Sequence, residues 1–235
     1  MRMRWLILVN SIILIIEIGV IFTSLVFAYE LEEYYPLDQG NSWTYSAIEN
    51  EESGKEIVRI EGKEIIRGVE TVKMMFAEND YKCIAIDSEG IKKYKDFDED
   101  EYKIYNPPKF LFPNIDIGQV KEYSTSWIKY GMRGEKKEEG VETGQIKLES
   151  IENIEVPAGK FTGCLKFSLI SNEKTSDGGY ESSDCTIWLA PAIGKVKEFC
   201  IDTEYDVEAQ KEDTFIEIVE LVSAVVDGKR IGRQE

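Results

Sequence analysis

The chain has 235 residues, 28 basic against 45 acidic, with a formal net charge of −17 and no histidine. The negative balance makes nucleic acid and anionic bilayer surfaces poor partners, since both repel it. Without histidine there is no His-assisted serine or cysteine nucleophile and no histidine-ligated zinc or iron centre.

The N-terminus opens on a basic run, Met1-Arg2-Met3-Arg4, followed by the mostly apolar stretch Trp5 to Phe27, with Val26-Phe27-Ala28 at the cleavage positions. This is the layout of a secretory signal peptide covering residues 1–28. The rival reading is an uncleaved anchor, because Trp5 to Ala28 is long enough to cross about 30 Å of hydrocarbon at about 1.5 Å per residue. Glu17 weighs against the anchor, since a carboxylate near mid-span costs roughly 2.5–3.5 kcal/mol on insertion. The residue immediately after Ala28 is Tyr29 rather than cysteine, so lipidation there is not expected. Residues 29–235 then form a single exported β-domain, periplasmic, cell-surface or extracellular. Its membrane contact is limited to the N-terminal segment if uncleaved.

Beyond Ala28 short segments alternate apolar and polar residues with little helical periodicity. Strands are predicted near Trp43–Ile48, Glu56–Glu61, Val69–Ala77, Tyr81–Asp87, Ile91–Phe97 and Glu122–Tyr130. Others are predicted near Gln145–Ile154, Phe161–Ser171, Tyr180–Leu189, Lys195–Thr203 and Thr214–Val225. Asp87-Ser88-Glu89-Gly90, Ser176-Asp177-Gly178-Gly179 and Ala190-Pro191-Ala192-Ile193-Gly194 supply hairpin turns between them. Gly131 to Gly144 is so charged that it reads as a long solvated turn. Asn106-Pro107-Pro108 interrupts the pattern, placing any internal division near 106–113. A faint echo sets the segment Tyr35-Pro36 to Tyr45 beside Phe112-Pro113 to Tyr123. The expected fold is all-β, an antiparallel β-sandwich or an open, strongly curved half-barrel.

Four cysteines in an exported chain invite disulfides. If Ala190 and Lys195 close the Pro191–Gly194 turn, Cys185 faces Cys200 across the hairpin; the competing reading is four buried, reduced thiols. Cys83 and Cys164 have no local reason to pair. Asp96, Asp98 and Asp100 imitate the start of a calcium loop, but Glu101 replaces its glycine and Pro107 its bidentate Glu. An acidic turn and no metal are therefore expected, and no cofactor is implied. Carboxylates are too abundant for a glycosidase-like pair to be singled out. Trp43, Trp127 and Trp188 are the candidate ligand-binding aromatics, weighed against plain core packing.

Three motifs carry a resemblance: Tyr35-Pro36-Leu37-x-x-Gly40-Asn41-x-Trp43-x-Tyr45, Val156-Pro157-Ala158-Gly159-Lys160-Phe161, and Trp188-Leu189-Ala190-Pro191-Ala192-Ile193-Gly194-Lys195-Val196-Lys197. In this order the chain resembles a broad group of uncharacterised exported bacterial β-domain proteins, distantly similar in architecture to periplasmic lipoprotein carriers. The resemblance implies a curved antiparallel sheet able to enclose an acyl chain. The chain departs from the carriers in lacking a clear helical lid and an arginine-centred motif. The expected function is non-catalytic: an envelope or secreted binding module for an apolar ligand or a protein partner. The alternatives are a structural subunit of an envelope assembly and a His-free hydrolase using paired carboxylates.

Overall fold

The structure, a computed structural model, describes residues 29–207 and 209–232. The expected signal segment, residues 1–28, lies outside the described residues. A short 3-10 helix (Leu31–Tyr34) precedes thirteen strands: β1 (Ser42–Glu49), β2 (Glu52–Ile66), β3 (Val69–Ala77), β4 (Asp80–Asp87), β5 (Gly90–Asp98), β6 (Glu101–Pro113), β7 (Val120–Gly131), β8 (Lys136–Val156), β9 (Gly159–Thr175), β10 (Tyr180–Ala190), β11 (Gly194–Asp206), β12 (Lys211–Val226) and β13 (Lys229–Gly232).

Each strand pairs antiparallel with the next, and β1 also pairs with β12, from Ser42↔Val225 to Glu49↔Glu217. This last ladder closes β1–β12 into a barrel. The sandwich and half-barrel expectations are thus corrected: alternation specifies strands with one inward face, but a ladder joining the two ends of the chain leaves no local sign. β13 is the extra strand, paired with β12 over Ser223–Val226, past the point where the β11 ladder ends at Glu220.

The inward face follows the predicted period of two. On β7, Thr125 and Trp127 are buried while Glu122, Ser124 and Ser126 are exposed. On β8, Glu142 and Ile146 are buried while Val141, Thr143 and Gln145 are exposed.

Two stretches differ from expectation. Only Met132–Glu135 form the turn after β7, with Gly131 N–H donating to Glu135 O at 3.0 Å. Residues from Lys136 onward are strand, paired with β7. Their charges are matched across or along the ladder, Lys129 to Glu138 at 3.2 Å and Lys136 to Glu139 at 2.7 Å, so a charged sequence still forms a strand. β6 was missed because of its prolines. The β5–β6 ladder is interrupted between Lys95↔Ile104 and Lys93↔Lys109, so Pro107 and Pro108 sit where no ladder donor is needed. The Asn106–Pro107 bond is cis.

β6 joins β7 only over Glu101–Asn106. Past that point the wall has a seam, spanned by side chains: Lys109 on β6 meets Glu142 on β8 at 2.6 Å, and Lys121 lies over the Phe110 ring at 4.8 Å. The N-terminal segment packs nearby, with Leu31 and Tyr34 in one apolar cluster with Phe112, Ile146 and Leu148. Tyr29 Oη donates to Ile115 O. The aromatics of the two echoing segments, Tyr35 and Phe112, touch at 5.6 Å between centroids.

The three resemblance motifs meet at one end of the barrel. Trp43 Nε1 donates to Ile193 O at 2.6 Å and Tyr45 Oη to Lys195 O at 3.0 Å, tying the opening motif to the β10–β11 turn. Ala158, in the β8–β9 turn, donates to Leu221 O at 2.8 Å and folds that turn onto β12. Two bulges in β8, between Leu148 and Ser150 and between Glu152 and Ile154, bend the long hairpin. An apolar cluster including Trp43, Tyr45, Val58, Ile60, Ile84 and Leu221 fills this end.

Candidate functional site

Two cavities among the described residues bear on the interior of the barrel. The inner one has a volume of about 330 Å³, at the small end of the roughly 300–1,000 Å³ usual for ligand pockets. Its β1–β3 wall is apolar, with Trp43, Tyr45, Val58, Met74 and Phe76. Four lysines, Lys82, Lys93, Lys109 and Lys195, also line it, with Glu181, Glu198 and Asp202 on β10 and β11. The second, about 360 Å³, is a polar vestibule by the β9–β10 turn, lined by Lys103, Trp127, Lys129, Glu173 and Tyr205 among others. Glu181 lines both.

Three of the inner lysines are matched. Lys93 meets Asp96 at 2.5 Å, Lys109 meets Glu142 at 2.6 Å, and Lys195 is paired with Glu198. Asp96 also accepts from Tyr105 Oη at 2.6 Å, and Glu142 from Tyr123 Oη at 2.7 Å. Burial by itself pushes the Asp96 carboxyl up, but Lys93 and Lys82, with the hydrogen bonds from Lys93 and Tyr105, more than offset it and hold it at about 2. For Lys195, burial works against the charge, but Glu198, Tyr45 and Glu56 together outweigh it, holding the ammonium well above the ordinary lysine range. Burial pushes the Tyr35 hydroxyl up to about 12, so it stays protonated as a donor.

Lys82 differs. Its ammonium forms no hydrogen bond or ion pair with any described residue, and its Nζ lies 4.4 Å from the centre of the Phe76 ring. Burial, then the neighbouring Lys93, depress its proton affinity below the usual lysine value. Asp96, opposite it in the β4–β5 register, takes Lys93 and Tyr105 on Oδ2, makes no ion pair with Lys82, and leaves its buried Oδ1 without a described hydrogen-bond partner.

The three candidate tryptophans do not converge. Trp43 lines the inner cavity with its indole N–H satisfied by Ile193. Trp127 is 1% exposed and lines the vestibule, where Lys103 stands 4.0 Å from its ring centre and its N–H has no described partner. Trp188 lines neither described cavity. It donates to Glu152 at 2.6 Å, with Lys166 and Lys197 against its ring.

Cys185 and Cys200 are register partners at disulfide distance, with Cα atoms 4.2 Å apart, and both line the inner cavity. The turn is one residue tighter than expected, Ala190 pairing with Gly194, and a bulge between Trp188 and Leu189 restores the offset that places the cysteines opposite. Glu198 lies beside them, and these three could ligate a metal only with both thiols reduced. Cys83 and Cys164 are buried and unpaired with each other. Asp96, read from sequence as part of an acidic turn, lies instead beneath the cavity lysines; only Glu99 and Asp100 form the turn.

The lysine set was missed in the sequence reading. Its signal was present: Lys82, Lys93 and Lys109 share the inward phase of adjacent strands, but a surface lysine has the same appearance until the barrel closes.

No protein-family model matches the chain, and no curated protein matches it. Three solved structures resemble it. A provisionally named lipoprotein from Parabacteroides distasonis ATCC 8503 is 14% identical with a TM-score of 0.44, over 82% of this chain and 100% of its own. A provisionally named exported protein of Bacteroides fragilis NCTC 9343, described as having a YmcC-like fold, is 13% identical with a TM-score of 0.43, over 80% of this chain and 97% of its own. The hypothetical lipoprotein YmcC from Escherichia coli K12 is 10% identical with a TM-score of 0.39, over 87% and 95%.

Proposed function

We propose that this chain is an exported, non-catalytic binding module that holds a small, partly apolar molecule inside its barrel. The observation that carries the reading is the inner cavity of about 330 Å³, walled by Trp43, Tyr45, Val58, Met74 and Phe76. The apolar N-terminal run and the Cys185–Cys200 pair at disulfide distance support export. A subunit role through free sheet edges draws less support, since closure through β1 and β12 pairs the edges an open sheet exposes.

The test is native mass spectrometry of the protein exported to, and purified without detergent from, a bacterial periplasm. A bound small molecule at one per chain, released on denaturation, is the expected result. An empty protein that also takes up no apolar probe overturns the reading.

A further inference from the structure

The inner cavity combines an apolar wall with a lysine, Lys82, that has no ion pair among the described residues. Lys93, Lys109 and Lys195 spend their charges on Asp96, Glu142 and Glu198. Lys82 has no such partner among the described residues, although it lines the same cavity and faces Phe76. An ammonium removed from water gains from a bonded counter-ion, and Lys82 has an aromatic ring against it rather than a bonded carboxylate. Asp96, on the paired strand, favours the charge on Lys82 from a distance but forms no ion pair with it, its Oδ2 being bound by Lys93 and Tyr105. The other carboxylates in the lining with no described ion pair, Glu181 and Asp202, stand on β10 and β11, six and five strands around the closed wall from β4.

Resting on the proposed binding role, we infer that the cavity selects a small monoanionic amphiphile, with its anionic head on Lys82 and its apolar chain along Val58, Met74 and Phe76. The ligand class is a medium-chain carboxylate or an anion of the same form. A second anionic group is disfavoured, because the other lysines are occupied and Glu198 and Asp202 repel it. A neutral analogue retains the apolar contacts but leaves the ammonium unmatched. A cationic analogue adds repulsion at Lys82.

The experiment is isothermal titration calorimetry of the periplasm-purified protein with three probes of one chain length: octanoate, octan-1-ol and octylammonium. Octanoate is expected to bind at least tenfold more tightly than octan-1-ol, with octylammonium weakest. K82M is expected to remove that preference, lowering octanoate affinity at least tenfold and leaving octan-1-ol within about threefold, while K82R retains it. Equal affinity of the wild-type protein for octanoate and octan-1-ol overturns the anion assignment and leaves the binding role standing, a comparison that needs no variant to fold. Octanoate binding unchanged in K82M also overturns it. No heat and no saturation with any of the three overturns the binding role itself.

Discussion

Replacing Asp96 with asparagine tests whether the lumen is held together by its internal charges. Asp96 accepts from Tyr105 and pairs with Lys93, and its side chain is only 26% exposed. A carboxyl held at about 2 rather than at its ordinary 3.8 contributes about 2.5 kcal/mol to folding at neutral pH. Because the folded value is the lower one, this stabilisation is complete above the unfolded value near 4. It drains away as pH falls toward 2, where the native carboxyl takes up its proton. Urea unfolding of the wild type and Asp96→Asn at pH 5 and pH 2 isolates this contribution, since the other carboxylates titrate in both proteins. The gap between the two proteins is expected to shrink by about 2 kcal/mol on acidification. An unchanged gap would refute the claim that Lys93 and Lys82 hold this carboxylate ionised.

Two further outcomes follow from the same geometry. Replacing both Cys185 and Cys200 with alanine removes a link closing a span of 15 residues, and is expected to cost about 3 kcal/mol, read as a melting-temperature drop of roughly 6–12 °C; a reductant should then leave the variant unaffected while lowering the wild type. Trp127→Phe is expected to cost under about 1.5 kcal/mol, because it discards a buried N–H that has no described partner, whereas Trp127→Ala is expected to cost about 3–5 kcal/mol in chemical denaturation. Similar losses in the two variants would show that the indole N–H has a partner worth keeping.

The sequence made the strands legible wherever alternation was clean, as in β3, β4 and β10, whose expected and observed ranges nearly coincide. It hid β6, because Pro107 and Pro108 signal a break unless a local gap in the ladder is known to receive them. It hid the first part of β8 because Lys136, Glu138 and Glu139 read as solvent until Lys129 is seen across from them. The Cys185–Cys200 opposition was legible because a hairpin register is nearly local, even though the turn and the bulge each differ by a residue from the assumed path. The cavity was only partly legible: Trp43 could be singled out as a large aromatic at a strand entry, but the inward orientation of Lys82 depends on which face becomes the lumen.

The ladder between β1 and β12 also bears on how the molecule is made. Every other pairing joins neighbours along the chain, so each hairpin can close as soon as its second strand emerges from a ribosome or a translocation pore. β1 is delivered among the first strands, yet Ser46 and its acceptor Glu220 are 174 positions apart. Until nearly the whole polypeptide has been delivered, the growing sheet therefore carries one unmatched border at its oldest end, open to capture by another chain. The interior exists as a compartment only after that final join, so any occupant is either enclosed at completion or enters later through the vestibule or the seam beside β6.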